Sequence, residues 1–261
     1  MNLFQHEQIS RLNESELIVY NYVFSHLDEI AEMNIRELAA AAGVSTSSVM
    51  RFCNKTGCTG YTEFKYWLRQ SLEQQPQANV YMHSAIPAIH YLQQMSSNPD
   101  FSRKLSEAAG LCLQAQQILF LGIGTSGILG QYGARFFSSV GLTAFSVMDP
   151  FYPSPARDMS NTLLVALSVS GETPEMIRLL DGYKKKQVTI ISLTNTSQST
   201  IARMSDLNFP YYMPLVYAFP KLGGVNLTTQ IPAIYILESL TYRMRSEKEN
   251  ARLESKKMPK E

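Results

Sequence analysis

Two short stretches of the sequence combine glycine with hydroxyl side chains, at 122–126 and at 168–173. Glycine allows the backbone to approach a ligand closely, and hydroxyls and backbone N–H groups at a helix start donate hydrogen bonds to phosphate. Each stretch follows an apolar run typical of a buried strand and precedes a helical pattern. The two stretches therefore predict a site for a phosphate monoester carried by a small polar molecule.

The same residues do not favour a nucleotide site. Glycines at 122, 124 and 127 have the spacing of a dinucleotide-binding turn, but Phe145-Ser146-Val147 stands where an acidic residue is required. Glycine–serine turns are also common at strand ends, so one stretch alone would be weak evidence. Two stretches on neighbouring parallel strands meet at the carboxyl edge of the sheet, which strengthens the prediction.

A helix-turn-helix pattern occupies residues 35–52. The alanine-rich stretch 35–42 predicts a helix that packs closely, Gly43 permits a tight turn, and Ser45 is a favoured N-cap for the next helix. That second helix would present short polar side chains and then Arg51 to a DNA major groove. An ordinary helical hairpin with a well-capped second helix is the alternative.

The charge distribution indicates a local DNA-binding patch rather than a basic protein, because the net charge is only +1. Within 46–72, however, four cations face a single acid, Glu63. Beyond the motif, Lys55, Tyr61 and Lys65 are predicted to brace the DNA backbone, unless Tyr61 closes a small apolar core. The predicted DNA-binding residues are Ser45, Thr46, Ser47, Ser48, Arg51, Lys55, Tyr61 and Lys65.

Helical patterns fill the first 72 residues, and strands alternate with helices from about residue 80 onward. Such alternation implies a mostly parallel sheet covered on both faces. The predicted fold class is α/β, with an all-α N-terminal helix-turn-helix domain and a C-terminal three-layer αβα domain. The predicted boundaries are 1–75 for the DNA-binding domain, 76–82 for a linker, 83–245 for the second domain and 246–261 for a charged flexible tail.

Composition limits the class of protein. Hydrophobic residues make up 45% of the chain, enough for a core that excludes wholesale disorder. No apolar run approaches the roughly 18 residues of a membrane span, and the N-terminus lacks an export signal, so a cytoplasmic protein without membrane contact is predicted. Three cysteines lack the spacing of a disulfide framework or a zinc site. We predict neither a metal nor a cofactor.

These motifs resemble those of a known family. The N-terminal stretch is similar to the helix-turn-helix domain of RpiR/MurR-type regulators, and the later part resembles the sugar isomerase (SIS) domain that follows it in those proteins. Together the two likenesses cover nearly the whole chain in the family's order. They rest on Leu38-Ala39, Gly43-Val44-Ser45, Val49, Arg51-Phe52-Cys53, Lys55, Gly57, Gly60-Tyr61, Phe64-Lys65, Gly122-x-Gly124-x-Ser126 and Ser168-x-Ser170-Gly171-Glu172-Thr173.

The resemblance implies a five-stranded SIS sheet and a bacterial transcription regulator that forms a homodimer or a dimer of dimers. Such a protein reads a roughly palindromic double-stranded DNA operator, with an affinity that changes when a phosphorylated sugar binds. Family members often carry a Ser-Arg pair near the last helix, whereas this chain has Gly223 to Thr229, with Lys221 as the nearest cation. The implied ligand residues are Gly124, Thr125, Ser126, Ser168, Val169, Ser170, Gly171, Glu172 and Thr173.

Two other classes of function stay open at this point. SIS domains also occur in phosphosugar isomerases, which need a general base such as His or Glu. A partner-binding scaffold would use the apolar last helix, which we interpret instead as core and dimer surface. No His–Glu pair stands at motif spacing, and we predict no catalytic residue among His83, His90, Glu107, Glu172, Glu175 and Glu238.

Overall fold

The computed structural model describes residues 5–73, 82–153, 159, 161–218 and 224–257. Within these ranges the chain divides into two compact units. The first spans Met1–Ser96 and Tyr212–Thr229, and the second spans Ser97–Tyr211 and Gln230–Glu261. Residues 76–81 of the predicted linker, Lys221, and the last four residues of the predicted tail lie outside the described residues.

The first unit is helical, as predicted for the N-terminal domain. Asn13, Asn34 and Ser45 cap three of its helices through their side chains, and Gly43 ends one of them with φ +67°. Its helices are α1 (His6–Ser10), α2 (Glu14–Ser25), α3 (Leu27–Ile30), α4 (Ile35–Ala42), α5 (Thr46–Lys55), α6 (Tyr61–Glu73) and α7 (Met82–Ser96).

The second unit is built on one five-stranded parallel sheet. Its elements are α8 (Pro99–Gln114), β1 (Gln117–Leu121), α9 (Thr125–Ser139), β2 (Ala144–Val147), β3 (Thr162–Ser168), α10 (Pro174–Lys184), β4 (Thr189–Thr194), α11 (Thr200–Met204), β5 (Leu207–Pro210) and α12 (Ile231–Lys257). The strand order is β2-β1-β3-β4-β5, and every pair is parallel. The predicted three-layer α/β fold is confirmed.

Helices cover both faces of this sheet. On one face, Leu119 and Leu164 belong to an apolar cluster with Leu180 of α10 and Ile201 of α11. On the other face, the ring of Phe120 lies 5.0 Å from that of Phe137 in α9. All of β3 is buried, as expected for a central strand of a parallel sheet.

A two-stranded hairpin completes the described structure. It pairs β6 (Tyr217–Ala218) with β7 (Val225–Asn226) in antiparallel fashion. It lies in the segment 212–229, which the contacts assign to the first unit together with α7. Our sequence boundaries place both in the second domain, so the division by contacts differs from the division by sequence pattern.

The last helix is longer than the pattern predicts. Its last fully buried apolar residue is Met244, yet α12 continues to Lys257, so 246–257 of the predicted tail are helical. Strong helix formers dominate this stretch, and Arg245 pairs with Glu249 at 2.9 Å, an i,i+4 contact that supports an exposed helix. In the described part of the chain, no helix has the length and apolar character to span a bilayer.

Candidate functional site

The two hydroxyl-rich stretches follow strands that are direct neighbours. β1 pairs with β3, and Leu121 at the end of β1 lies in register with Ala166. The strand order also reverses at this pair, because β2 lies on one side of β1 and β3 and β4 on the other. In parallel α/β sheets, such a reversal opens a crevice at the carboxyl edge where ligands bind. The fold therefore brings both loops to the place where a ligand site is expected.

The first loop, 122–126, needs its glycines. Gly124 has φ +61° at the N-cap of α9, a conformation that favours glycine. A Cβ on Gly122 would lie 2.6 Å from the backbone oxygen of Ser126, so the chain turns back on itself here. Thr125 is exposed, whereas Ser126 is buried. The loop thus presents a hydroxyl and the free N–H groups of a helix start at the crevice.

The second loop, 168–173, is held by its own hydroxyls. The Gly171 N–H donates to Ser168 Oγ at 3.1 Å, and the Glu172 N–H donates to Ser170 Oγ at 3.2 Å. Ser168 is buried and Ser170 is exposed. A serine that accepts one hydrogen bond still carries a hydroxyl proton to donate. Ser170 is therefore a suitable donor for an anion in the crevice.

Glu172, one of the ligand residues that the family motif implies, is hydrogen-bonded to the start of α11. Its Oε1 accepts from the Thr200 N–H at 2.7 Å, so its carboxylate caps α11. A negative charge at a helix N-terminus is favourable. Thr173 stands at the N-cap position of α10, which Pro174 begins.

Sequence reasoning missed a third loop, 195–199, which follows β4. The Asn195 N–H donates to the Val169 carbonyl at 3.1 Å, which joins this loop to the second one. Its residues are again rich in hydroxyls, so the signal that revealed the first two loops, a polar run directly after a strand, was present here too.

Gln230 was also missed. Its Nε2 donates to Thr125 Oγ1 at 3.0 Å, and its Oε1 accepts from Ser126 Oγ at 3.3 Å. The glutamine is therefore hydrogen-bonded to both hydroxyl groups of the first loop. More than a hundred residues separate it from that loop, and no local pattern marks it.

The helix-turn-helix geometry of α4 and α5 agrees with the pattern. The Val44 N–H donates to the Ala39 carbonyl at 2.9 Å across the turn, and Ser45 Oγ accepts from the Ser48 N–H at 3.2 Å. Thr46 and Ser47 are exposed at the start of α5. These two side chains, with the free N–H groups of the helix start, form the surface that a DNA groove would meet.

Two predicted DNA-binding residues face inward instead. Ser48 is buried, and its Oγ lies 2.9 Å from the Arg51 guanidinium that donates to it. Tyr61 is also buried: its hydroxyl donates to the Met33 carbonyl at 2.9 Å, and burial raises its pKa to about 12. Tyr61 belongs to the apolar core cluster of the first unit, which agrees with the alternative interpretation that it closes the small core. Ser48 stands four residues before Phe52, so it lies on the buried face of α5.

Comparison with known proteins agrees with both the helix-turn-helix and the parallel sheet that carries the loops. Residues 3–75 match the model of the helix-turn-helix domain of the rpiR family, and residues 112–237 match the model of the SIS domain. The chain belongs to the RpiR family. It is 27% identical to the uncharacterized regulator YbbH of Bacillus subtilis over 76% of this chain and 74% of that protein. It is also 27% identical to the regulator GlvR of the same organism, over 87% and 86% of the two chains.

A solved structure shares the fold of this RpiR-family regulator over nearly its full length. The Vibrio vulnificus NanR protein, complexed with ManNAc-6P, matches with a TM-score of 0.54 at 23% identity. The likeness covers 96% of each chain. At this identity the likeness shows a shared fold.

The two basic residues of α5 in this RpiR-family regulator contact a buried acid. Glu16 of α2 is fully buried, and it accepts from Arg51 Nε at 3.2 Å and from Lys55 Nζ at 2.7 Å. The cations themselves are half exposed. They can therefore stabilise the contact of α2 with α5 and still offer positive charge at the surface.

The third predicted cation, Lys65, has its Nζ 5.7 Å from the centre of the Tyr61 ring.

The pKa of Glu16 reflects two opposing effects. Burial by itself would raise this pKa. Hydrogen bonds from Lys55, the Asn13 N–H and Arg51, together with the charge of Lys55, outweigh burial and hold the pKa below its ordinary value. The folded unit therefore prefers Glu16 ionised.

Glu16→Gln is expected to lower the free energy of unfolding of the first unit by about 1–2 kcal/mol at neutral pH, because charge-assisted hydrogen bonds to a buried group are lost. Since the folded pKa is depressed, the stabilisation is present above the unfolded pKa and disappears as pH falls through the folded pKa. Urea unfolding of both proteins at neutral and acid pH measures this. Glu7→Gln, at an exposed pair with Arg11, is the control and should change stability by less than about 0.5 kcal/mol. An equal deficit of Glu16→Gln at both pH values would contradict the assignment.

Proposed function

We propose that this chain regulates a sugar-utilisation operon and that a phosphorylated sugar in the SIS domain changes its affinity for operator DNA. The observation that carries the proposal is the juxtaposition of two hydroxyl-rich loops on adjacent strands, where the strand order reverses. Thr125, Ser126 and Ser170 would donate from their hydroxyls, and the starts of α9 and α10 would donate backbone N–H groups. Gly124, Ser168, Val169, Gly171 and Thr173 would shape the loops.

A phosphate suits this site better than a carboxylate or a neutral sugar. The loops offer many hydrogen-bond donors but no Lys or Arg, so they suit a ligand that brings several acceptor oxygens. NanR, which shares the fold, was solved with ManNAc-6P, itself a sugar phosphate. The chemistry of the loops and the ligand of this structural neighbour support the same class of effector.

DNA recognition is proposed for the start of α5. Thr46 and Ser47 would meet base edges in the major groove, and Arg51, Lys55 and Lys65 would contact phosphates. Two such helices in a homodimer, or in a dimer of dimers, would read half-sites about 34 Å apart on a palindromic operator. We place this activity in the cytoplasm, where the operator is found.

We propose that the SIS domain binds its ligand without converting it. Two of the candidate acids already have structural partners: Glu172 caps α11, and Glu238 accepts from the Tyr132 hydroxyl at 2.5 Å. These placements support a sensor over an isomerase, which would need a free base beside the sugar.

Ser170→Ala is expected to weaken phosphosugar binding about 10-fold or more, because one hydrogen bond to a charged group contributes about 1.5–3 kcal/mol. Operator affinity without ligand should stay unchanged. Calorimetric titration with a panel of sugar phosphates measures the first quantity, and fluorescence anisotropy of labelled operator measures the second.

The matched control is Ser106→Ala on α8, whose hydroxyl is bonded within its own helix to the Ser102 carbonyl. This variant should bind ligand and DNA as the parent does. Equal ligand affinity in Ser170→Ala and Ser106→Ala would remove Ser170 from the site. Turnover of a sugar phosphate by the purified protein would contradict the proposed sensor.

A further inference from the structure

The described residues 212–218 and 224–229, here called the crossover segment, belong to the first unit although they are inserted in the sequence of the second. Tyr212 is buried in the apolar core of the helical unit, and its ring lies 5.3 Å from that of His6. Its carbonyl accepts from the Tyr20 hydroxyl at 3.3 Å. The Leu215 N–H donates to Asn21 Oδ1 at 3.0 Å, so two residues of α2 hold the crossover segment.

The two ends of the crossover segment are distinctive. At the first end, Tyr212 has φ +50°, a left-handed conformation that is strained for a bulky residue. At the other end, the next residue in the chain is Gln230, which bonds to both hydroxyls of the 122–126 loop. The segment that packs on α2 therefore continues directly into a residue at the proposed phosphosugar site.

Hydrogen bonds inside the crossover segment join these ends. The Val216 N–H donates to the buried Thr228 Oγ1 at 3.0 Å, and the Leu227 N–H donates to the Val216 carbonyl at 2.7 Å. Val216 follows Leu215, which is bonded to Asn21. Thr228 precedes Gln230 by two residues. A movement of Gln230 thus has a short, hydrogen-bonded route to α2.

Helix α2 is in turn bonded to the DNA-binding helix. Glu16 of α2 holds Arg51 and Lys55 of α5, five residues before Asn21 on the same helix. A change in the position of α2 would therefore shift the two cations that are proposed to contact DNA phosphates.

We propose that Gln230 is the residue through which ligand occupancy reaches the DNA-binding unit. The inference rests on the proposed function, because it needs a phosphosugar at the 122–126 loop. A phosphate there would compete with Gln230 Oε1 for the hydroxyl proton of Ser126, since its charged oxygens accept that bond more strongly than a neutral amide oxygen does. Gln230 would then lose the hydrogen bond from Ser126, and the crossover segment would be loosened at one end. The strength of the coupling between ligand binding and DNA binding then depends on how much the ligand-free and ligand-bound states differ in this contact.

The test uses the full chain with Gln230→Ala, and Gln116→Ala as a matched control on an exposed glutamine that precedes β1. Operator DNA is first selected from a random duplex pool with the parent protein. Its affinity is then measured with and without glucose 6-phosphate, N-acetylmannosamine 6-phosphate and inorganic phosphate. Ligand affinity is measured separately by calorimetry.

In the parent and in Gln116→Ala, an effective sugar phosphate should change operator affinity by about 5- to 150-fold, the usual range of allosteric coupling. In Gln230→Ala, the ligand should still bind, with equal or greater affinity, but should change operator affinity less than about twofold. Full coupling in Gln230→Ala would overturn the inference while leaving the proposed function intact. Failure of the parent to bind any sugar phosphate would overturn both.

A second variant separates coupling from ligand contact. Thr228→Val removes the hydroxyl that holds Val216 but keeps the shape of the side chain. It should bind the sugar phosphate as the parent does and show a reduced effect on operator affinity. If it also retains the full effect, the route through the crossover segment is wrong.

Discussion

Gly171→Ala is expected to abolish measurable phosphosugar binding and to lower the free energy of unfolding of the second unit by about 1–3 kcal/mol. Gly171 has φ +66°, and a Cβ there would lie 2.1 Å from Ser199 Oγ. Ser199 caps α11 by accepting from the Ala202 N–H at 3.3 Å. The new methyl group must therefore displace either the 168–173 loop or the cap of α11. Calorimetric ligand titration and urea unfolding measure the two effects.

Gly110→Ala is the matched control for that substitution. Gly110 lies inside α8, and a Cβ there would meet no atom within 4 Å. Alanine in a helix interior is favoured over glycine by about 0.5–1 kcal/mol, so this variant should be slightly more stable and bind ligand normally. Normal ligand binding by Gly171→Ala would show that the backbone of the second loop does not form the site.

Thr46→Glu is expected to weaken operator binding by about 10-fold to 100-fold without harming the fold. Thr46 is the first residue of α5 and is exposed, so glutamate fits there and its charge is favourable at a helix N-terminus. The same charge at a surface that meets DNA repels phosphates and offers no donor to the groove. Thermal unfolding should therefore show equal or greater stability while anisotropy shows lost DNA affinity.

Gln116→Glu adds the same charge in the second unit and controls for a change in net charge alone. It should reduce operator affinity less than about twofold at physiological salt, where long-range charge effects are screened. If Thr46→Glu and Gln116→Glu weaken binding equally, the start of α5 is not the DNA-contacting surface.

The parts of the structure that local sequence predicts well are those set by neighbouring residues. Ser45 and Gly43 fix helix ends within a few positions of themselves, and each stands where the pattern places it. The order of strands and helices follows from periodicity, and a parallel sheet then brings the 122–126 and 168–173 loops to one edge. The position of these two loops in the fold could therefore be predicted from the sequence alone.

Contacts between distant residues could not be located in this way. Glu16 looks like one acid in a charged first turn, yet it is buried because Arg51 and Lys55, far along the chain, neutralise it. Gln230 has no pattern of its own, and its importance follows only from its bonds to Thr125 and Ser126. Long-range pairing of this kind is decided by packing, which periodicity does not encode.

The most direct test of a phosphosugar-controlled DNA switch compares each sugar phosphate with the same sugar lacking its phosphate. Operator affinity of the full chain is measured by anisotropy at one salt concentration, with either compound at saturation. We expect one phosphorylated sugar to change the affinity at least about fivefold and its unphosphorylated partner to have no effect. An equal response to both compounds, or no response to any phosphorylated sugar, would contradict the account.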